Sequence, residues 1–288
     1  MRSYSAYMLP PEMTKQVLFV GAFLGMMSIV DTLAYGVRTA GVLAKRLAIS
    51  LALFNILVII SRLSNMFSAP ILGNFPDKVF QGAYIAPDVL RALRIDLLFV
   101  VAGVLIGALI TPTIVSVFSR AIEVMEEKGS LPPTLWYGLV HISHFGKYLR
   151  APRLAHLLAY NDFRQLPTGF LLFNVFVTCF YSIGVMSTVL AASWNHDLAG
   201  TTIMLSGIVN GIATMLLFVI VDPPAAVVID QCIAGKRPEA HAKTMNVYLI
   251  ATRLAGCMLA LLLLPLMARY VLAAAAWVDA FFAAGSAV

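Results

Sequence analysis

The sequence predicts an all-α polytopic membrane protein with about six transmembrane helices, and three observations carry that prediction. Of its 288 residues 60% are hydrophobic and only 12% charged, about half the charge of an ordinary soluble domain. The apolar residues gather into runs that can cross a hydrocarbon core, which needs about 20 residues at 1.5 Å each. Lys and Arg collect mostly in the short segments between those runs. One soluble core cannot hide this much apolar surface, so lipid must cover part of it.

Six runs qualify as spans: Gln16–Val37, Leu47–Met66, Leu97–Val117, Leu166–Ala192, Thr201–Val221 and Asn246–Ala268. The first begins after Lys15 and is too long for a signal-peptide core. It lacks a small-residue cleavage site, so it is expected to stay as the first span. The apolar tail Leu272–Ala284 follows Pro265 and reads as a kinked continuation of span six or a separate interfacial piece. Pro70–Pro87 and Asp222–Ala234 are apolar but too short to span, and both read as re-entrant or interfacial segments.

Those two short stretches expose an internal repeat. Pro70, Asp77, Gly82, Ala102, Gly103 and Pro112 recur as Pro223, Asp230, Gly235, Ala255, Gly256 and Pro265, each 153 residues on (223 less 70, 265 less 112). Three spans per copy is an odd number, so the second copy is expected upside down relative to the first. The chain is then one membrane domain, 1–288. Repeat one covers about 15–120, a loop with an amphipathic helix about 121–165, and repeat two about 166–284.

Orientation follows from the cations. The segments after spans one, three and five hold Arg38, Lys45, Arg46, Arg120, Lys128, Lys147, Arg150, Arg153, Arg164, Lys236, Arg237 and Lys243. The other side has Arg2, Lys15, Lys78, Arg91, Arg94 and Arg269. Twelve against six places the first set in the cytoplasm and both termini outside. In the long loop, Leu135, Leu139, Ile142 and Leu149 recur at helical spacing, with His141, His144 and Lys147 on another side. Trp136, Tyr137 and Tyr148 add interface-seeking rings. The pattern reads as a basic helix on the anionic inner leaflet, against the plainer reading of a solvated connector.

Several function classes lack support. The net charge of +6 is placed as the positive-inside rule places it, with no recognised fold or basic stripe for nucleic acid. Cys179, Cys232 and Cys257 are odd in number and widely spaced, so they read as small buried hydrophobes rather than disulfides or metal ligands. His141 and His144 lack further ligands. No nucleophile–base set and no phosphate-cradling glycine loop appears, so neither an enzyme nor a cofactor is expected.

Ionisable groups inside spans cost about 2.5–3.5 kcal/mol on insertion scales and default to functional candidates. Asp31 lies in span one, Arg62 in span two and Arg253 in span six, with Asn55, Asn174 and Asn210 near the middles of spans two, four and five. Ser61, Arg62, Ser64 and Asn65 make one helix face polar for more than a turn. Such a face wants a water-filled cavity or a polar partner helix, and an arginine there offers a planar fork suited to phosphate. The plainer reading is an arginine that snorkels, or pairs with Asp31 or Asp222. Arg62, Arg253, Arg38, Asn55, Ser61, Asn65 and Asn210 are therefore the candidate substrate-binding residues. Asp31, Asp222 and Asp230 are candidates for coupling or ion pairing. Asn174 reads as a helix–helix hydrogen-bonding residue. Asp222, followed by Pro223 and Pro224, is expected to cap or break span five and to pair with a basic group, Arg253 foremost.

These polar signatures resemble the Amj family, named as the alternate to the lipid II flippase MurJ. The resemblance runs through Thr32-Leu33-Ala34-Tyr35, Arg38, Gly41, Ser50-Leu51, Leu53-Phe54-Asn55, Val58-Ile59, Ser61-Arg62, Ser64-Asn65-Met66, Pro70 and Gly73. It continues through Phe118-Ser119-Arg120-Ala121-Ile122, Asn210-Gly211-Ile212-Ala213-Thr214-Met215-Leu216-Leu217 and Val221-Asp222-Pro223. Gly235-Lys236-Arg237 and Arg253 with Ala255-Gly256 complete it. It covers about Thr14 to Arg269, with Glu126–Pro167 matching poorly. The resemblance implies transport of lipid II, the undecaprenyl-linked peptidoglycan precursor, from the inner to the outer leaflet of the cell membrane. Two other readings remain open: a transporter of another polyprenyl-phosphate lipid, and a non-transporting cell-envelope assembly factor whose span-two polar face binds a partner helix. Oligomeric state is also open, a homo-oligomer included.

Overall fold

The computed structural model describes residues 9–129 and 168–285, and its regular elements there are all helical. In chain order they are α1 (Pro11–Ala44), α2 (Leu47–Phe80), α3 (Ala86–Lys128), α4 (Thr168–Ala192), α5 (Ala199–Leu216), a π-turn (Leu217–Val221), α6 (Asp222–Ile233) and α7 (Glu239–Gly285). With α5, the π-turn and α6 as one continuous path, six helices are long and apolar enough to cross a membrane. Their outer faces carry large bare side chains such as Met204 and Leu262, at 77% and 73% exposure. That surface invites aggregation in water and is ordinary against lipid.

Small residues set the main packings. Among the described residues α1 lies along α3, and α4 along α7, as two close helix pairs. A Cβ on Gly103 would strike the Gly25 carbonyl and the Ser28 side chain; one on Gly256 would lie 2.5 Å from the Val175 carbonyl and 2.9 Å from Thr178. Lipid offers no hydrophobic drive to join helices, so close backbone contact of this kind supplies it. The apolar core sits where α1, α3, α4 and α7 meet, built on residues such as Val20, Leu97, Ile183 and Leu264. Cys179, Cys232 and Cys257 are free and buried, as expected of small hydrophobes.

Two turns, one in each half of the chain, make matching backbone bonds. Ala83 and Tyr84 donate to the Lys78 carbonyl at 2.9 and 3.0 Å, and Lys236 and Arg237 to the Gln231 carbonyl at 2.9 and 3.1 Å. Gly82 and Gly235 both take φ 71° at these turns, a left-handed conformation that only glycine adopts without strain. Further up, Thr32 donates to the Ser28 carbonyl at 2.7 Å and Ser182 to the Thr178 carbonyl at 2.7 Å.

Several sequence expectations are corrected. Residues 70–80 are the last turns of α2, which runs through Pro70 and Pro76, and Asp222–Ile233 is α6, entered directly from α5. Each stretch continues the span before it. Asp222 does not break the fifth span: Pro223 and Pro224 lack N–H donors, and the chain absorbs the loss in one wide turn, with the Asp222 N–H bonded to the Leu217 carbonyl. Of the two readings of the tail Leu272–Ala284, it is the continuation that the helix follows: α7 runs past Pro265 to Gly285. Arg38, counted with the loop cations, lies inside α1, which extends to Ala44. Residues 121–128 belong to α3. The remainder of the loop, with Leu135, His141 and His144, lies outside the described residues.

Candidate functional site

One face of α1 organises the site. Asp31, Tyr35 and Arg38 stand at i, i+4 and i+7, so they share that face, and Asp31 and Arg38 are about 10 Å apart along the axis. Each charged end meets a partner from the second half of the chain. Arg253 of α7 donates from Nη2 to Asp31 Oδ2 at 2.9 Å, and Arg38 donates from Nη2 to Asp222 Oδ1 at 2.7 Å. Between them, the Tyr35 hydroxyl donates to Asn174 Oδ1 at 3.4 Å, while the Asn174 amide donates to Thr252 Oγ1 at 2.8 Å and to the Leu249 carbonyl at 3.2 Å.

These pairs reverse one expectation. Asp222 does have a basic partner, but it is Arg38, and Arg253 belongs to Asp31. Hydropathy and spacing reveal which residues lie in spans, whereas the pairing depends on how α6 and α7 dock on α1. Burial makes the pairing compulsory: Arg38 and Arg253 are 2% and 6% exposed, and a guanidinium so placed without a carboxylate is costly. Each keeps donors that no described side chain accepts from, Nε and Nη1 of Arg38 and Nε of Arg253.

Arg62 completes the arrangement from α2. Its guanidinium carbon lies 4.1 Å from the centre of the Tyr181 ring on α4, and no salt bridge to it is present among the described residues. Arg38 is stacked in the same way on Phe54, at 3.9 Å, but also holds its carboxylate. Asp31, Asp222, Arg62, Arg253, Tyr35 and Tyr181 line one cavity of about 500 Å³ counted out to its open mouth, of which about 40 Å³ admits the centres of water molecules. Phe54, Val58 and Arg62 of α2 form one wall, and Ala213 of α5 with Leu217 of the π-turn form another. Three arginines thus meet two aspartates, and the surplus positive charge rests on Arg62.

The remaining candidates divide. Ser61 is fully buried, and its hydroxyl has no partner among the described residues; Asn210 is half-buried against Gly184, with its Oδ1 also unpartnered. Asn55 faces outward from α2 and Asp230 is exposed near the end of α6, and neither lines the cavity. The side chain of Asn65 lies outside the described set. Asn174 bonds across helices, as its reading required. Tyr35, Phe54 and Tyr181 were not singled out from sequence, since an aromatic ring in an apolar run carries no signal of its own. Asp96 stands one residue before the apolar run Leu97–Val117, so hydropathy does not mark it as a group inside a span. It lies inside α3, fully buried, with neither oxygen hydrogen-bonded to the described protein. Among the described residues no group of three or more His, Cys, Asp or Glu is placed to hold a metal.

Six membrane-length helices among the described residues, around a cavity lined by two arginines and two aspartates, define a multi-pass membrane protein whose polar site lies within its spans. The chain belongs to the Amj family, described as alternate to MurJ, whose model matches residues 23–275. It is 33% identical over 272 residues to the lipid II flippase Amj of Bacillus subtilis (strain 168), which covers 93% of this chain and 98% of that protein. No solved structure matches the chain.

Proposed function

We propose that the chain moves lipid II from the inner to the outer leaflet of the cytoplasmic membrane. Membership of the Amj family and the name of the B. subtilis relative support this reading. The observation that carries it within the molecule is Arg62, a guanidinium in the cavity wall held by a ring face instead of a carboxylate. Lipid II presents a pyrophosphate, and a planar fork of N–H donors is the natural partner for one. On this reading Arg62 takes the phosphate first, and the unpartnered Nε of Arg253, which lines the same cavity, adds to the grip. Asp31 holds Arg253 and Asp222 holds Arg38 while the site is empty, so neither of these two deeply buried arginines is left without a carboxylate. Water-sized space of about 40 Å³ suits a phosphate and is far too small for a disaccharide–pentapeptide, so α2 and α5 must part to admit the head.

Alternating access follows if the two repeats lie in opposite orientations in the bilayer, with both termini outside and the α1–α2 turn in the cytoplasm. The test is genetic. Expression of this chain in cells depleted of their principal lipid II flippase restores growth and outer-leaflet lipid II. Loss of viability despite normal membrane levels of the protein overturns the proposal.

A further inference from the structure

The two halves of the chain follow one register on α1 and α4 yet differ at a position that controls charge. Thr32 bonding to Ser28 and Ser182 bonding to Thr178 set that register at 150 residues (182 less 32). Gly103 and Gly256 confirm it by closing on Ser28 and Thr178 in turn. In this register Asp31 corresponds to Tyr181. Both side chains line the cavity, and each meets a guanidinium: Asp31 holds Arg253 at 2.9 Å, and the Tyr181 ring lies 4.1 Å beneath Arg62.

The two partners do different things to an arginine. A carboxylate cancels the charge and occupies donors at the edge of the guanidinium plane. An aromatic face attracts the cation from below and leaves that edge uncovered. We propose that Tyr181 is a positioning residue that orients Arg62 while leaving its charge and donor edge for an anionic phosphate, where the equivalent carboxylate would silence it. This rests on the reading of Arg62 as the phosphate-binding cation. It accounts for a symmetric pair of positions having unlike chemistry: one arginine is held in reserve and the other kept ready.

The experiment uses the full chain in nanodiscs, with undecaprenyl phosphate as probe and the uncharged alcohol undecaprenol as control. Tyr181→Asp introduces the carboxylate and Tyr181→Asn a side chain of the same size without charge, while Tyr181→Phe keeps the ring. The phosphate probe is expected to bind Tyr181→Phe as it binds the parent, and Tyr181→Asp at least about tenfold more weakly than Tyr181→Asn, the loss expected when a charged hydrogen-bonding group is taken out of play. Binding of undecaprenol is expected to be unchanged throughout. If Tyr181→Asp does not accumulate, Val58→Asp brings a carboxylate to the same cavity one helical turn before Arg62 and is expected to give the same loss. Equal affinities for the Asp and Asn variants overturn the role of Tyr181. Parent-like binding by Arg62→Ala overturns instead the phosphate role of Arg62, so the two failures are told apart.

Discussion

Arg253 of α7 reaches Asp31 of α1 at 2.9 Å, and the Asp222 carboxylate is left to Arg38, seven residues further along the same α1 face. Two ion pairs of opposite polarity therefore tie the first helix to the second half of the chain. Both are largely withdrawn from solvent, with side-chain exposures of 8% and 14% for Arg253 and Asp31, and 3% and 16% for Arg38 and Asp222.

The three arginines are expected to separate into two classes. Arg62→Ala removes a cation that neutralises no carboxylate among the described residues, so membrane level and thermal stability stay near those of the parent while rescue is lost. Arg253→Ala strands Asp31 and is expected to cost about 3–5 kcal/mol, the usual result of breaking one side of a buried pair. Asp31→Asn in the same molecule should recover much of that stability, which a double-mutant cycle of melting temperatures measures. Additive losses would show that the two side chains are not coupled.

Asp222→Asn keeps the shape and one acceptor but removes the charge facing Arg38. Stability is expected to fall by on the order of 1–3 kcal/mol, since a charged hydrogen bond becomes a neutral one. Transport is expected to fall further than stability, because Arg38 then competes for the substrate phosphate without a carboxylate to reclaim it. Thermal melts and rescue on the same preparations decide this, and full rescue by Asp222→Asn removes Asp222 from the transport cycle.

If the two halves are inverted repeats, as proposed, the two glycine turns lie on opposite sides of the membrane. In a background without native cysteines, Gln81→Cys and Lys236→Cys are expected to react with an impermeant maleimide from opposite faces of intact cells and inverted vesicles. Gln81 and Lys236 are both exposed, so access is not limited by packing. Labelling of both from one face would exclude the inverted arrangement.

Asp96 is buried in α3 without a hydrogen-bond partner among the described residues. A polar group in that state lowers stability, and an apolar residue of similar size removes the cost. Asp96→Leu is expected to raise the melting temperature of the purified protein. An unchanged or lower value would mean that the carboxyl is compensated within the fold.

The membrane class and the span count were legible in the residues themselves. Hydropathy over some 20 residues is a local property that lipid enforces wherever the chain folds. The matched glycines and prolines mark backbone events, such as the turns at Gly82 and Gly235, that follow from local chemistry. The individual charges at membrane depth were legible too, since Asp31, Arg62 and Arg253 stand out against apolar neighbours. Tertiary structure alone decided who pairs with whom. Arg253 lies 31 residues from Asp222 and 222 residues from Asp31 (253 less 222, 253 less 31), yet docking of α7 beside α1 chose the distant partner. Tertiary structure also carried the chain through Pro223 as a π-turn, which brings Asp222 onto Arg38. A helix face becomes a site only when another helix supplies its opposite wall, and the ring of Tyr181 beneath Arg62 was invisible until α2 met α4.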